Sequence, residues 1–118
     1  MPHITVDYPR RLASLFDLRA FTDELHPMVL DGSSSAGTCK TLFREATTAY
    51  VSHQHSSEAA FVHVEVGLLP GRPDGLKARL SQAILGLLER HIRMATTDNV
   101  VCSVEVRDLA DSYRLRTL

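Results

Sequence analysis

A chain of 118 residues with 44% apolar content and a net charge of −1 fits one domain, residues 1–118, with a modest core of its own. The near-neutral balance argues against a non-specific nucleic-acid binder, which carries a basic surplus. No apolar run approaches the roughly 20 residues needed to span a bilayer, so no membrane partner is expected. The two cysteines, Cys39 and Cys102, form no Cys-x-x-Cys pair, which argues against a structural zinc site. Alternating residues follow Met1 directly, where a secretory leader would place an apolar block. A cytoplasmic chain with reduced thiols is therefore the expectation.

Met1-Pro2-His3-Ile4-Thr5-Val6 opens the chain. Proline is a small second residue, so removal of Met1 is expected, leaving a secondary amine at the tip of a strand. That amine is a base no internal residue can offer, although many chains carry Pro at this position without using it. His3 to Asp7 alternates, with Ile4 and Val6 on one face, and reads as a half-buried strand ended by Pro9. Arg10 and Arg11 follow. Asp17 is a good N-cap for a helix with Leu18, Phe21, Leu25, Met28 and Val29 on one face. Pro27 is expected to kink that helix or end it near His26, and Asp31 to Gly37 reads as a loop.

Thr41 to Val51 reads as a second strand, with weaker alternation, and Ser52 to Glu58 as a polar connection. His53-x-His55 within it has strand spacing for one face, but no third ligand lies nearby, so no metal is expected. Phe61 to Val66 is the clearest strand, with Val62, Val64 and Val66 opposite Phe61, His63 and Glu65. Leu68 to Asp74 is a turn. A second helix is predicted over Asp74 to Ala95, with Leu76, Leu80, Ala83, Ile84, Leu87 and Met94 as its stripe. Val100 to Val106 is the last strand, with Cys102, Val104 and Val106 inward, and the tail ends with Tyr113, Arg114 and Arg116.

The order is β-α-β followed by β-α-β, and the halves are alike: a strand, a turn bearing Pro and Arg, a helix and a strand. Crossover helices make neighbouring strands parallel. The expected fold class is α+β, a four-stranded mixed sheet with both helices on one face. The other face then carries His3, Thr5, Phe61, His63, Glu65, Val101, Ser103 and Glu105. Either a symmetric oligomer covers this mixture or solvent or ligand meets it.

This order, with Pro2 opening the first strand, resembles the tautomerase superfamily, and most of all the 5-carboxymethyl-2-hydroxymuconate Δ-isomerases. The likeness rests on Met1-Pro2-His3-Ile4 with Val6, Asp17-Leu18 through Pro27, Ala36-Gly37, Ala60-Phe61-Val62-His63 and Gly71-Arg72, and covers nearly the whole chain. It implies a homotrimer whose sheets line a central barrel, and an isomerase that uses no cofactor. It further implies that Pro2 moves a proton within a small unsaturated 2-hydroxy or 2-oxo acid, and that Arg72 holds a substrate carboxylate. The family pattern Ala-Gly-x-Arg becomes Ala36-Gly37-Thr38-Cys39 here. A one-residue insertion puts Lys40 in the arginine's place, a point charge where the family has a planar fork.

Such chemistry needs a base that is neutral near pH 7. An α-amino group titrates near 7.7–8.0 in water, and an apolar pocket beside cations lowers that value. Lys40 and Arg72 would bind carboxylates and stabilise charge on a dienolate. Arg11 could reach a neighbouring subunit's pocket, and Phe61 could wall one, although exposure and packing are the plainer readings. Cys39 beside Lys40 is a nucleophile only if the cation lowers its pKa. Two other functions fit the same residues: a non-catalytic oligomeric module that binds small acids, or a hydratase, decarboxylase or dehalogenase using the same proline.

Overall fold

The computed structural model of the chain describes residues 1–52 and 60–118, so His53-x-His55 and most of the polar connection lie outside the described residues. The alternation after Pro2 becomes strand β1 (His3–Pro9), followed by a single 3-10 turn at Arg10–Leu12. The remaining elements are α1 (Leu18–Ser33), β2 (Lys40–Ala46), β3 (Ala60–Leu68), α2 (Asp74–Ala95) and β4 (Val100–Asp108). The strands form one sheet in the order β2-β1-β3-β4. β1 runs parallel to β2 and antiparallel to β3, and β3 runs parallel to β4, as two joined β-α-β halves require.

Ile4 and Val6 of β1, and Val62, Val64 and Val66 of β3, are fully buried beneath the two helices. From α1 they meet Phe21, Leu25 and Val29, and from α2 Leu80, Ile84, Leu87, Leu88 and Ile92. Cys102, Val104 and Val106 of β4 pack on the edge of this core. Apart from the end where the tail after β4 lies over Gly67 and His3, the opposite sheet face is uncovered in the single chain, and Leu42, Phe61 and Val101 stand there 59%, 37% and 53% exposed.

Helix α1 departs from expectation, because it neither ends nor breaks at Pro27 but continues to Ser33. Pro27 faces solvent, so water can satisfy the carbonyl it leaves without a donor, while Leu25 and Val29 hold the helix to the core on the other side. Asp17 caps the start, its carboxylate accepting from the Ala20 amide at 3.0 Å. Ser34 ends the helix in the left-handed region, with φ 53°. Gly32 belongs to the last turn of α1, not to a loop. A Cβ there would lie 2.8 Å from Leu80 Cδ1, so the missing side chain lets the helices approach.

β2 stops at Ala46 rather than at Val51, since β1 offers no partner beyond the Pro9–Ala46 pair. On α2, Met94 is 69% exposed and is not part of the buried stripe, which includes Leu88, His91 and Ile92 instead. His91 is buried by a side-on contact with the Phe21 ring and bonds the Glu24 carboxylate across the helix pair at 2.5 Å.

Candidate active site

The register gathers four chain segments at one end of the sheet. β1 and β2 begin there, with His3 beside Lys40. β3 and β4 end there, with Gly67 beside both His3 and Arg107. Pro2 is buried at this end, and its carbonyl accepts the Lys40 amide at 3.4 Å. The Met1 side chain lies over Gly37, where a Cβ would approach Met1 Sδ to 2.7 Å, and Met1 Sδ accepts the Thr38 amide at 3.0 Å. Gly37 has φ +89°, a conformation glycine adopts without strain.

An open groove of about 480 Å³ lies where β1 and β2 begin, lined by His3, Thr38, Lys40, Tyr113, Arg114 and Arg116 among others, and Pro2 precedes it without lining it. Lys40 donates to the Tyr113 phenol oxygen at 2.7 Å, and its ammonium lies 5.4 Å from the ring centroid. The Tyr113 ring also meets the His3 ring edge-on at 6.4 Å. His3 Nδ1 is buried without a hydrogen-bond partner among the described residues. The groove is thus cationic, part-aromatic and suited to a small organic anion.

Arg72 stands at the same end, after β3, and does not line this groove. Its Nε donates to Ser33 O at 2.6 Å, Nη2 to Ser35 Oγ at 2.9 Å and Nη1 to Leu69 O at 3.1 Å. Three of the five guanidinium N–H groups are therefore committed to the end of α1 and to its own turn. That contact fixes the loop leading to Gly37, Thr38 and Lys40.

Cys39 is half-buried, and burial pushes its thiol up despite the opposing pull of Lys40 and the chain's amino terminus. A protonated thiol makes a poor nucleophile.

Arg11 and Phe61 lie at the opposite end of the sheet. Arg11 follows β1 and pairs with Asp98 at 2.7 Å, with Nη1 buried and unpartnered among the described residues. Phe61 sits two residues beyond the Asp7–His63 pair, next to Val101. At about 3.3 Å per residue, the length of β1 separates both from Pro2 by roughly 20 Å. The chain therefore brings Pro2 and Lys40 together, places Arg72 at the same end but bonded to the end of α1, and leaves Arg11 and Phe61 apart from them.

The open face between the two ends is polar. Asp7 accepts from Arg44 at 2.7 and 3.0 Å, and this pairing holds its carboxyl below the usual range. His63, Glu65 and Glu105 have ligand atoms within 4.8 Å of one another and could hold a cation. His63 is already bonded to Ser103 at 2.7 Å, and Glu65 to Arg107 at 3.0 Å.

Sequence reasoning assigned no role to Tyr113, Arg114 or Arg116. Their signal was an aromatic and two arginines just after the last strand, which the parallel β3–β4 pairing carries to the Pro2 end.

A family model for 5-carboxymethyl-2-hydroxymuconate isomerase matches residues 2–117. No curated protein matches the chain significantly. Among solved structures, a 5-carboxymethyl-2-hydroxymuconate isomerase from Deinococcus radiodurans R1 superposes with a TM-score of 0.83 at 17% identity, over 98% of this chain and 88% of that one. A 5-carboxymethyl-2-hydroxymuconate delta-isomerase superposes at 0.80 with 16% identity, over 99% and 88%. A fused 4-OT protein, described as a wild-type symmetric trimer, superposes at 0.69 with 22% identity, over 91% and 85%. At these identities the structural likenesses establish the shared fold.

Proposed function

Since the chain belongs to the 5-carboxymethyl-2-hydroxymuconate isomerase family, we propose that it moves a proton within a small unsaturated 2-hydroxy or 2-oxo dicarboxylic acid, with Pro2 as the base. The observation that carries this reading is the burial of Pro2 against the backbone of Lys40, whose side chain lines a groove with the arginines of the tail. Loss of Met1 turns the Pro2 nitrogen into a secondary amine at the start of β1. It also frees the Thr38 amide, which Met1 Sδ otherwise occupies.

The reaction requires one group to take and return a proton. The neutral amine removes the proton of the 2-hydroxyl, and the oxygen's electron pair forms the C2 carbonyl. The conjugated double bond shifts, and the distal carbon takes the proton back from the prolinium. Lys40 holds a carboxylate and offsets the negative charge that builds on the enolate oxygens. Arg72 keeps the loop before Lys40 in place and has two N–H groups left for a carboxylate.

Arg11 and Phe61 join a site only if a second copy supplies them. A trimer with the uncovered sheet faces turned inward would do so, and would cover Leu42, Phe61 and Val101. The symmetric trimer described for a fold relative supports that arrangement.

Intact mass of the active protein tests the first requirement, and retained Met1 on active molecules would remove Pro2 from the mechanism. Light scattering tests the second, with a stable monomer as the opposing result. A protein that binds dicarboxylates yet leaves every enol acid unchanged would be the non-catalytic module instead.

A further inference from the structure

We infer that Lys40 and Tyr113 act together as a two-point carboxylate clamp, doing with two side chains what a guanidinium does with one. This rests on the proposed anionic substrate beside Pro2. The ammonium of Lys40 has three N–H donors, and one is given to Tyr113 Oη at 2.7 Å. The phenol oxygen accepts that bond, so its own O–H proton is free to donate elsewhere. The pair therefore offers two N–H groups and one O–H from atoms spaced comparably to the two oxygens of a carboxylate. Both side chains line the groove that begins at His3, the residue after Pro2.

A lone lysine is a poor substitute for arginine because its charge sits on a flexible stem. Tyr113 removes that freedom, and the fold holds Tyr113 firmly. β2 and β4 are the two edges of the sheet, so the tail after β4 must cross β3 and β1 to reach Lys40. It crosses on the open face. The Leu109 amide donates to Leu68 O at 2.7 Å, and the Leu109 side chain lies over Gly67, where a Cβ would meet Leu109 Cδ2 at 2.5 Å. The Tyr113 amide donates to Ala110 O at 2.9 Å, and Arg114 bonds the Asp111 and Tyr113 carbonyls at 2.9 Å each. The Tyr113 ring rests against the edge of His3.

The test is calorimetric binding of cis,cis-muconate, a diacid without the 2-hydroxyl, to the mature protein. Binding is then read without turnover, and melting temperature and circular dichroism confirm that each variant folds. A hydrogen bond to a charged group carries enough energy that Tyr113→Phe should weaken binding roughly tenfold or more. Lys40→Ala should weaken it at least as much, and adding Tyr113→Phe to Lys40→Ala should change little further, because the two donors work as one unit. In Lys40→Arg/Tyr113→Phe, one guanidinium supplies both donors, so affinity should return most of the way to wild type.

For an enol diacid, Tyr113→Phe should raise KM and keep kcat. Wild-type affinity in Tyr113→Phe, additive losses in the double variant, or no recovery with arginine would each overturn the clamp. Wild-type turnover by Pro2→Ala would overturn the proline mechanism instead, while leaving the muconate result standing.

Discussion

Arg72→Ala separates a clamp on the fold from a group that only meets substrate. The guanidinium bonds the carbonyl of Ser33, a residue 1% exposed, at the last turn of α1. Removing a charged donor from a part-buried carbonyl costs about 2 kcal/mol, and the bond to Ser35 Oγ adds about 1 kcal/mol. The exposed bond to Leu69 O adds little, since water replaces it. The sum is about 3 kcal/mol. For a domain of this length, 1 kcal/mol corresponds to about 4 °C, so melting should fall by roughly 12 °C. The assay is thermal denaturation at one fixed protein concentration, so that assembly does not vary between samples. Arg72→Lys should recover only part of the loss, because one ammonium cannot reach three acceptors with the geometry of a planar fork. A fall of less than about 3 °C in Arg72→Ala, accompanied by a raised KM, would refute the clamp and leave Arg72 to the substrate alone.

Glu24 has a depressed carboxyl pKa in the folded chain, chiefly through its bonds to Arg90 and His91. Its stabilisation is fully present above its ordinary value of 4.5 and is lost as pH falls through the folded value. The melting gap between wild type and Glu24→Gln should therefore be constant above pH 5 and close towards pH 3; a gap independent of pH would contradict the pairing. Gly32→Val should destabilise by about 1–3 kcal/mol, because its side chain would push Leu80 away, and urea unfolding would read the shift. Cys39 should react slowly with iodoacetamide at pH 7 compared with a free thiol, since burial raises its pKa. Rapid labelling at Cys39 would argue that the thiolate is populated.

β1, β3, β4 and α2 were legible because their periodicity was unbroken, whereas β2, with weaker alternation, was read five residues too long. Val62, Val64 and Val66 announced a buried strand face, and the span from Asp74 to Ala95 carried a helical stripe with proline just before it. Local punctuation misled where tertiary contacts outweighed it. Pro27 and Gly32 look like breakers in sequence, yet Pro27 faces water and Gly32 meets Leu80, which no local pattern encodes. The approach of Lys40 to Pro2 was visible only through a resemblance, since it depends on the register of β1 and β2. The bonds of Arg72 to the end of α1 and the passage of Tyr113 across the sheet depend on side-chain reach between distant segments. Glu24 and His91 paired for the same reason: each sits on an amphipathic helix, and only the packing of α1 against α2 joins them.

The most direct measurement is the rate at which the mature Pro2→Ala protein converts a 2-hydroxymuconate-type enol acid to its keto form, followed by loss of enol absorbance. Alanine at the second position still permits removal of Met1, so the variant exchanges a ring-fixed secondary amine for a freely rotating primary one. Loss of a positioned base should slow the reaction by roughly a hundredfold or more, with diacid binding retained. A rate equal to wild type would contradict the assignment of Pro2 as the proton carrier.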